Sequence, residues 1–229
     1  MVVIKKDKKF SGRESIKSLF FTGSALILSF CLLTWQLLDN GFIVEWDKAI
    51  KRDQHPHYRG ILEFTLHRFD DLGSRWLTMV ILLTLVYKIF RKEGDRRVIY
   101  IFLISEFFLN SIVGVLKILV GRTKPFLIDG AVHSGGMSYP SGHAANTILC
   151  WSLILYLYWE FKKPNYRSRA LGVVGVVMVS ILVFGISLFR DTHWFSDLVA
   201  GYLVGGGIFT LVIAGDKFFK NRVDFSNKR

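Results

Sequence analysis

Apolar residues in this chain gather into six long runs set apart by short polar stretches. They extend roughly from Ser18 to Leu38, Leu72 to Phe90, Val98 to Val120, Gly142 to Phe161, Ala170 to Phe189 and Trp194 to Ile213. Each approaches the ~20 residues a helix needs to cross about 30 Å of hydrocarbon. Lipid offers no partner to a free backbone amide or carbonyl, so every run is predicted to be helical. The expected fold is all-α, an integral membrane bundle of six transmembrane helices forming a single domain over residues 1–229. A tail at 1–17, a loop at 39–71 and a second tail at 214–229 flank the runs.

An even number of spans puts both ends on one side. The connections after the second and fourth runs carry Lys88, Arg91, Lys92, Arg96 and Arg97, then Lys162, Lys163, Arg167 and Arg169. The C-terminal tail adds Lys217, Lys220, Arg222, Lys228 and Arg229, and the N-terminal tail Lys5, Lys6, Lys8, Lys9, Arg13 and Lys17. Basic residues stay in the cytoplasm, so both termini are predicted to be cytoplasmic and the first, third and fifth loops to face outward. The first run is too long for the core of a signal peptide and no small-residue cleavage site follows it, so it is expected to remain as an anchor. Within the outer loop, Phe42 to Leu66 mixes apolar and charged residues, as a helix lying in the membrane interface would.

Composition agrees. Hydrophobic residues make up 51% of the chain and the mean hydropathy is +0.36. A net charge of +12 would raise nucleic acid as a partner in a soluble protein, but here the basic residues mark topology, and no nucleic-acid partner is expected. Cys31 and Cys150 both lie inside apolar runs and read as buried packing residues. Neither a disulfide framework nor a metal site follows from them.

Polar residues that topology does not require occur at the outer ends of three helices. Lys117 closes the third run, with Gly121, Arg122, Lys124 and Pro125 behind it. It shares a helix face with Asn110 and Glu106, a polar stripe that should point into the bundle. Glu106 sits about 16 Å deeper at 1.5 Å per residue, too far to partner Lys117, and is assigned no catalytic part. Tyr139, Pro140, Ser141, Gly142 and His143 lead into the fourth run. As a helix start they could be a simple cap; the histidine adds an imidazole to free amides that favour an anion. His193 and Asp197, four apart, share a face at the start of the sixth run. The carboxylate can then fix the imidazole tautomer and leave the other nitrogen as a nucleophile. Cations and amides for the equatorial oxygens, one neutral imidazole and one protonated imidazole are the parts of phosphoryl transfer without a metal.

In these residues the chain resembles the type 2 phosphatidic acid phosphatase family, particularly its bacterial phosphatidylglycerophosphate phosphatase B-type members. The family pattern is lysine, six residues, arginine-proline; then proline-serine-glycine-histidine; then serine-arginine, five residues, histidine, three residues, aspartate. The matching residues are Lys117 with Lys124 and Pro125, the intact block Pro140 to His143, and His193 with Asp197. The resemblance implies that His193 becomes phosphorylated, that Asp197 orients it, and that His143 is the leaving-group acid and then the base for water. It makes Lys117, Lys124, Ser141 and the Gly142 amide phosphate ligands, with no metal or cofactor. Two positions depart from the pattern. Lys124 stands where arginine is usual, which keeps the charge but loses the bidentate fork. Ile186 and Ser187 occupy the serine-arginine positions; Arg190 is the candidate substitute for the missing arginine, ahead of Arg122.

The implied substrate is an anionic phospholipid or polyprenyl phosphate at the outward face of a bacterial inner membrane. The resemblance favours phosphatidylglycerol phosphate, with undecaprenyl pyrophosphate and phosphatidate as alternatives. A small polytopic transporter using Glu106 and Asn110 is the reading from another class, disfavoured because the polar residues cluster at one membrane face. His55 and His57 are a third candidate, an outer-loop metal pair, but no carboxylate or cysteine stands at a persuasive spacing.

Overall fold

A computed structural model describes the backbone of residues 4–51, 60–125 and 130–226, and side chains from residue 14 to residue 221 within those ranges. Every helix or strand assigned among them is a helix. The elements are α1 (Ile4–Leu38), α2 (Phe42–Ile50), α3 (Ile61–Asp70), a 3-10 turn (Asp71–Gly73), α4 (Arg75–Glu93), α5 (Arg97–Val120), α6 (Gly142–Lys162), α7 (Tyr166–Phe189) and α8 (Phe195–Ser226). His55 and His57 lie outside the described residues.

The predicted runs fall within α1 and α5 to α8, or lie within a few residues of their ends; the second run starts in the 3-10 turn ahead of α4. α5 ends at Gly121, whose φ of 55° is the left-handed geometry that glycine supplies at a C-cap. α6 begins at Ser141, whose Oγ accepts from the Ala144 amide at 3.4 Å. The outer loop holds two helices where the sequence suggested one. On α2, Phe42, Trp46 and Ile50 are exposed at four-residue spacing while Ile43 and Asp47 are buried. This amphipathic layout suits the membrane interface.

By length and composition, four helices can cross a membrane, or five when α3 with its 3-10 turn and α4, bent by 45°, count as one span. α6 falls short of that test. Its position explains why: α4, α5, α7 and α8 pack around it. Ala144, Ala145, Asn146, Thr147, Leu149 and Cys150 are all buried, so its sequence answers to protein neighbours more than to lipid. α7 instead exposes Leu171, Val174, Val177, Met178 and Ile181, a surface suited to hydrocarbon. Cys31 corrects an expectation: it is exposed, while Cys150 is buried. α1 packs mainly along α8, so much of its surface, including Phe20, Phe21, Leu28 and Leu32, faces away from the bundle, and a thiol is tolerated there.

The polar stripe on α5 does turn inward, in part. Glu106 is buried; its Oε2 accepts from Asn110 Nδ2 at 3.1 Å and its Oε1 from Cys150 Sγ at 3.3 Å. Asn146 continues the chain of bonds to Thr78 Oγ1 at 2.8 Å and the Gly73 carbonyl at 3.1 Å. This network ties α4, α5 and α6 together below the site. At the far end of the bundle Arg97 pairs with Glu160 at 3.1 Å and Asp216 at 3.2 Å, joining α5, α6 and α8.

The contact that matters most for function is α6 against α8. A Cβ on Gly201 would lie 2.5 Å from the Ser141 carbonyl oxygen, and one on Gly205 2.4 Å from that of Ala145. Two glycines four apart thus let the helices touch backbone to backbone. Gly201→Val is expected to force α8 away from α6, lower the stability by about 1–3 kcal/mol and reduce turnover at least ~10-fold. Thermal unfolding in detergent, with turnover alongside, checks this. Gly215→Ala, at a position with open space around it, should leave both unchanged.

Candidate active site

Lys117 is in the last turn of α5, Ser141 to His143 open α6, and His193 with Asp197 opens α8. The C-terminus of one helix and the N-termini of two others therefore meet at one end of the bundle. The Ser141 amide donates to the Asp197 carbonyl at 2.9 Å, pinning the second block directly onto the third. Lys117 lies beside Gly142: a Cβ there would be 3.9 Å from Lys117 Cε. Its ammonium donates to the Met137 carbonyl. His143 feels the charges of His193, Lys117, Lys124 and Asp70. The two imidazoles and both lysines thus share one electrostatic neighbourhood.

The two histidines differ in their support. His193 Nδ1 lies 3.4 Å from Asp197 Oδ2, at the long end of hydrogen-bond range, and its side chain is 10% exposed. Asp197 is fully buried and accepts several bonds. Oδ2 takes the Trp194 amide at 3.1 Å and the Ser138 hydroxyl; Oδ1 takes Arg122 Nη1 at 2.7 Å. A carboxylate held from so many sides cannot swing away from the imidazole it faces. His143 instead stands in the first turn of α6, where helix-end amides favour an anion. The Ser141 hydroxyl caps that helix and is buried, while Gly142 and His143 are half-buried.

Residues 121–125 and 130–140 fold back on one another to bring Ser138 in. His133 donates to the Val120 carbonyl at 2.7 Å and Ser138 to that of Arg122 at 2.9 Å. Gly136 is required where the two strands of this loop pass, since a Cβ would lie 2.2 Å from the Arg122 carbonyl oxygen. Tyr139 anchors the loop to α1, its hydroxyl 2.7 Å from Thr34 Oγ1 and its ring stacked on Phe30. Burial pushes the Tyr139 phenol far up, so it remains a neutral hydrogen-bonding group.

Two arginines considered from sequence are engaged elsewhere. Arg190 reaches α3: Nη1 donates to Asp70 Oδ2 at 3.0 Å and Nη2 lies 2.9 Å from His67 Nε2. Arg122 is 1% exposed and turned inward, donating to Asp47 Oδ2 at 2.6 Å, Asp197 Oδ1 and Ser196 Oγ at 2.7 Å, and Gly130 O at 3.4 Å. Its guanidinium stacks on Trp194 at 4.9 Å. With every nitrogen bonded to protein, Arg122 is placed as a buried bridge and not as a phosphate ligand. The position of the family arginine holds Ser187, also buried, whose carbonyl accepts from the Thr192 amide and hydroxyl at 3.1 Å.

Sequence reasoning missed Ser138 and Asp47. Asp47 accepts from the Ser196 amide at 2.9 Å, from Ser196 Oγ at 2.5 Å and from Arg122. Burial pushes its carboxyl up, opposed by the Arg122 charge and by the donors of Ser196 and Arg122. A cleft of about 300 Å³ flanks His193 on this side, lined by Asp47, Lys51, Pro125, Leu188 and Trp194 among others. Among the described residues no group of three or more histidines, cysteines or carboxylates could hold a metal ion.

Known proteins resemble this chain in sequence and in fold. Residues 95–219 match the PAP2 superfamily model, a stretch that contains Lys117, Ser141, His143, His193 and Asp197. Phosphatidylglycerophosphatase B of Bacillus subtilis (strain 168) is 26% identical over 199 residues, covering 86% of this chain and 95% of that protein. The crystal structure of a transmembrane PAP2-type phosphatidylglycerolphosphate phosphatase from Bacillus subtilis superposes with a TM-score of 0.73 at 18% identity. That match covers 86% of this chain and 97% of the other, and shows a common fold. With the family model spanning more than half its length, the chain belongs to the PAP2 superfamily and is a membrane lipid phosphatase.

Proposed function

We propose that this phosphatase removes the terminal phosphate of phosphatidylglycerol phosphate at the outer face of a bacterial inner membrane, through a phosphohistidine and without a metal or cofactor. The observation that carries the reading is that three separate helix ends meet at one end of the bundle. One imidazole is backed by a buried carboxylate, and the other sits at a helix N-terminus within reach of the charges of Lys117, Lys124 and the first imidazole. The phosphatidylglycerophosphatase B relative favours the substrate.

In this mechanism neutral His193 attacks phosphorus through Nε2. The bond to the glycerol oxygen breaks, and protonated His143 gives that oxygen its proton. Neutral His143 then takes a proton from water as the water oxygen attacks phosphorus. The phosphorus–nitrogen bond breaks and inorganic phosphate leaves. Lys117, Lys124 and the amides of Gly142 and His143 hold the equatorial oxygens where negative charge gathers. The Ser141 hydroxyl, already the helix cap, contributes a polar edge. Arg190 acts from the rim, where Asp70 and His67 hold it.

Six spans are proposed: α1, α4, α5, α6, α7 and α8, with both termini cytoplasmic. Support comes from the basic connections, which lie at the end of the bundle opposite the histidines, around Arg97 and Lys220.

Purified protein in detergent with EDTA should release phosphate fastest from phosphatidylglycerol phosphate, more slowly from phosphatidate and undecaprenyl pyrophosphate. The kcat/KM profile should be bell-shaped, because one histidine must be neutral and the other protonated. Loss of all release in EDTA would contradict the metal-free mechanism. A preference for either other lipid would overturn the substrate assignment alone.

A further inference from the structure

Burying an arginine is costly, and the cost is repaid only when each donor is met. Arg122 spends its fork on two carboxylates that come from distant parts of the chain. Asp197 belongs to α8 and faces His193; Asp47 belongs to α2 and touches neither histidine within hydrogen-bond range. All three groups are nearly inaccessible, with side chains 1%, 0% and 1% exposed for Arg122, Asp197 and Asp47. Asp47 also accepts both donors of Ser196, the residue just ahead of Asp197.

The arrangement has an electrostatic consequence. An arginine paired with Asp197 alone would cancel much of the negative charge that His193 needs to see. A second carboxylate on the other arm leaves the cluster with an excess of one negative charge, while the planar fork fixes the direction of both bonds. We infer that Asp47 is a positioning residue for the nucleophile: by holding the other arm of Arg122 and the start of α8, it sets the orientation of Asp197 and preserves its charge toward His193. The exposed face of α2, with Phe42, Trp46 and Ile50, seats this residue from the membrane interface. The inference rests on the phosphohistidine reading above.

Asp47→Asn is expected to lower kcat by about 10–100-fold with KM nearly unchanged, the usual scale for partners that orient a reacting group. Removing a negative charge near His193 makes that ring easier to keep neutral. The acidic limb of the kcat/KM profile should therefore move to lower pH. The groups around His193 that shape this limb are Asp197 and Ser138 on its Nδ1 side, Asp47, Lys51 and Asp191 lining the same cleft, and His143, with which it interacts electrostatically. A purely structural loss would lower kcat without moving the limb. In a double-mutant cycle, Asp47→Asn with Arg122→Gln should lose little more than the worse single variant. Glu45→Gln, exposed on the same helix, should match the wild type.

An unmoved limb, or full activity in Asp47→Asn, would overturn the inference. If Asp47→Asn does not accumulate as folded protein, Ser196→Ala decides: loss of the hydroxyl that ties Asp47 to the start of α8 should lower kcat with KM nearly unchanged, and full activity would overturn the proposal. Were the phosphohistidine reading itself at fault, His193→Ala would remain active; that result separates the two.

Discussion

His193→Ala is expected to lower phosphate release from a lipid phosphate by about 10⁴-fold or more, because the proposed mechanism gives this ring the attack on phosphorus. The ring is fixed on its Nδ1 side by Asp197 Oδ2 and Ser138 Oγ, both at 3.4 Å, which leaves Nε2 for the attack proposed above. Lysines and helix-end amides would still bind the substrate, so KM should change far less than kcat. The deletion removes a ring that is 10% exposed and leaves the three bonds that the Asp197 carboxylate receives from Trp194, Ser138 and Arg122 largely in place. Folded protein is therefore expected in wild-type amounts. Wild-type turnover in this variant, measured as phosphate release in detergent, would contradict the assignment of His193.

Asp197→Asn should combine a large loss of activity with a loss of stability. The carboxylate is surrounded by donors: Arg122 on Oδ1, and Trp194 N, Ser138 Oγ and His193 Nδ1 on Oδ2. An asparagine must turn its NH₂ toward one of those two sets, so donor meets donor whichever way it is flipped. Turned toward Arg122, it leaves a buried guanidinium with Asp47 as its remaining carboxylate. Turned toward His193, it selects the wrong tautomer of the nucleophile. Removing one partner of a buried pair costs roughly 3–5 kcal/mol, and the lower end is expected here because Asp47 stays. Turnover should fall by about 10²–10⁴-fold. Thermal unfolding in detergent and phosphate release, on the same preparation, check both; unchanged melting together with full activity would refute the role.

Much of the helix layout was legible because hydrocarbon imposes a length and forbids unpaired backbone. The runs that became α5, α6 and α7 were placed within a few residues of their ends. The second histidine and the His193–Asp197 pair were legible for a different reason: their chemistry is local, a helix start in one case and a four-residue step in the other. Ser138 reaches Asp197 across 59 positions, and Asp47 reaches Ser196 across 149. No period or short spacing encodes such contacts; they exist only once α2 and the Gly121–Pro140 loop have folded against α8. Arg190 shows the same limit. Its position after α7 is plain from the sequence, but its direction depends on α3 packing beside α7, where Asp70 and His67 draw it. α6 is the reverse case: its polar and small residues make it a weak membrane helix by composition, and its enclosure by four neighbours supplies the reason.

A covalent intermediate offers the sharpest test. Protein stopped with alkali during turnover of phosphatidylglycerol phosphate carrying ³²P at its terminal position should carry the label on His193, in a bond that survives alkali and breaks in acid. The label should be absent from His193→Ala. Full turnover with no labelled histidine, or label on His143 in its place, would show that phosphorus takes another route.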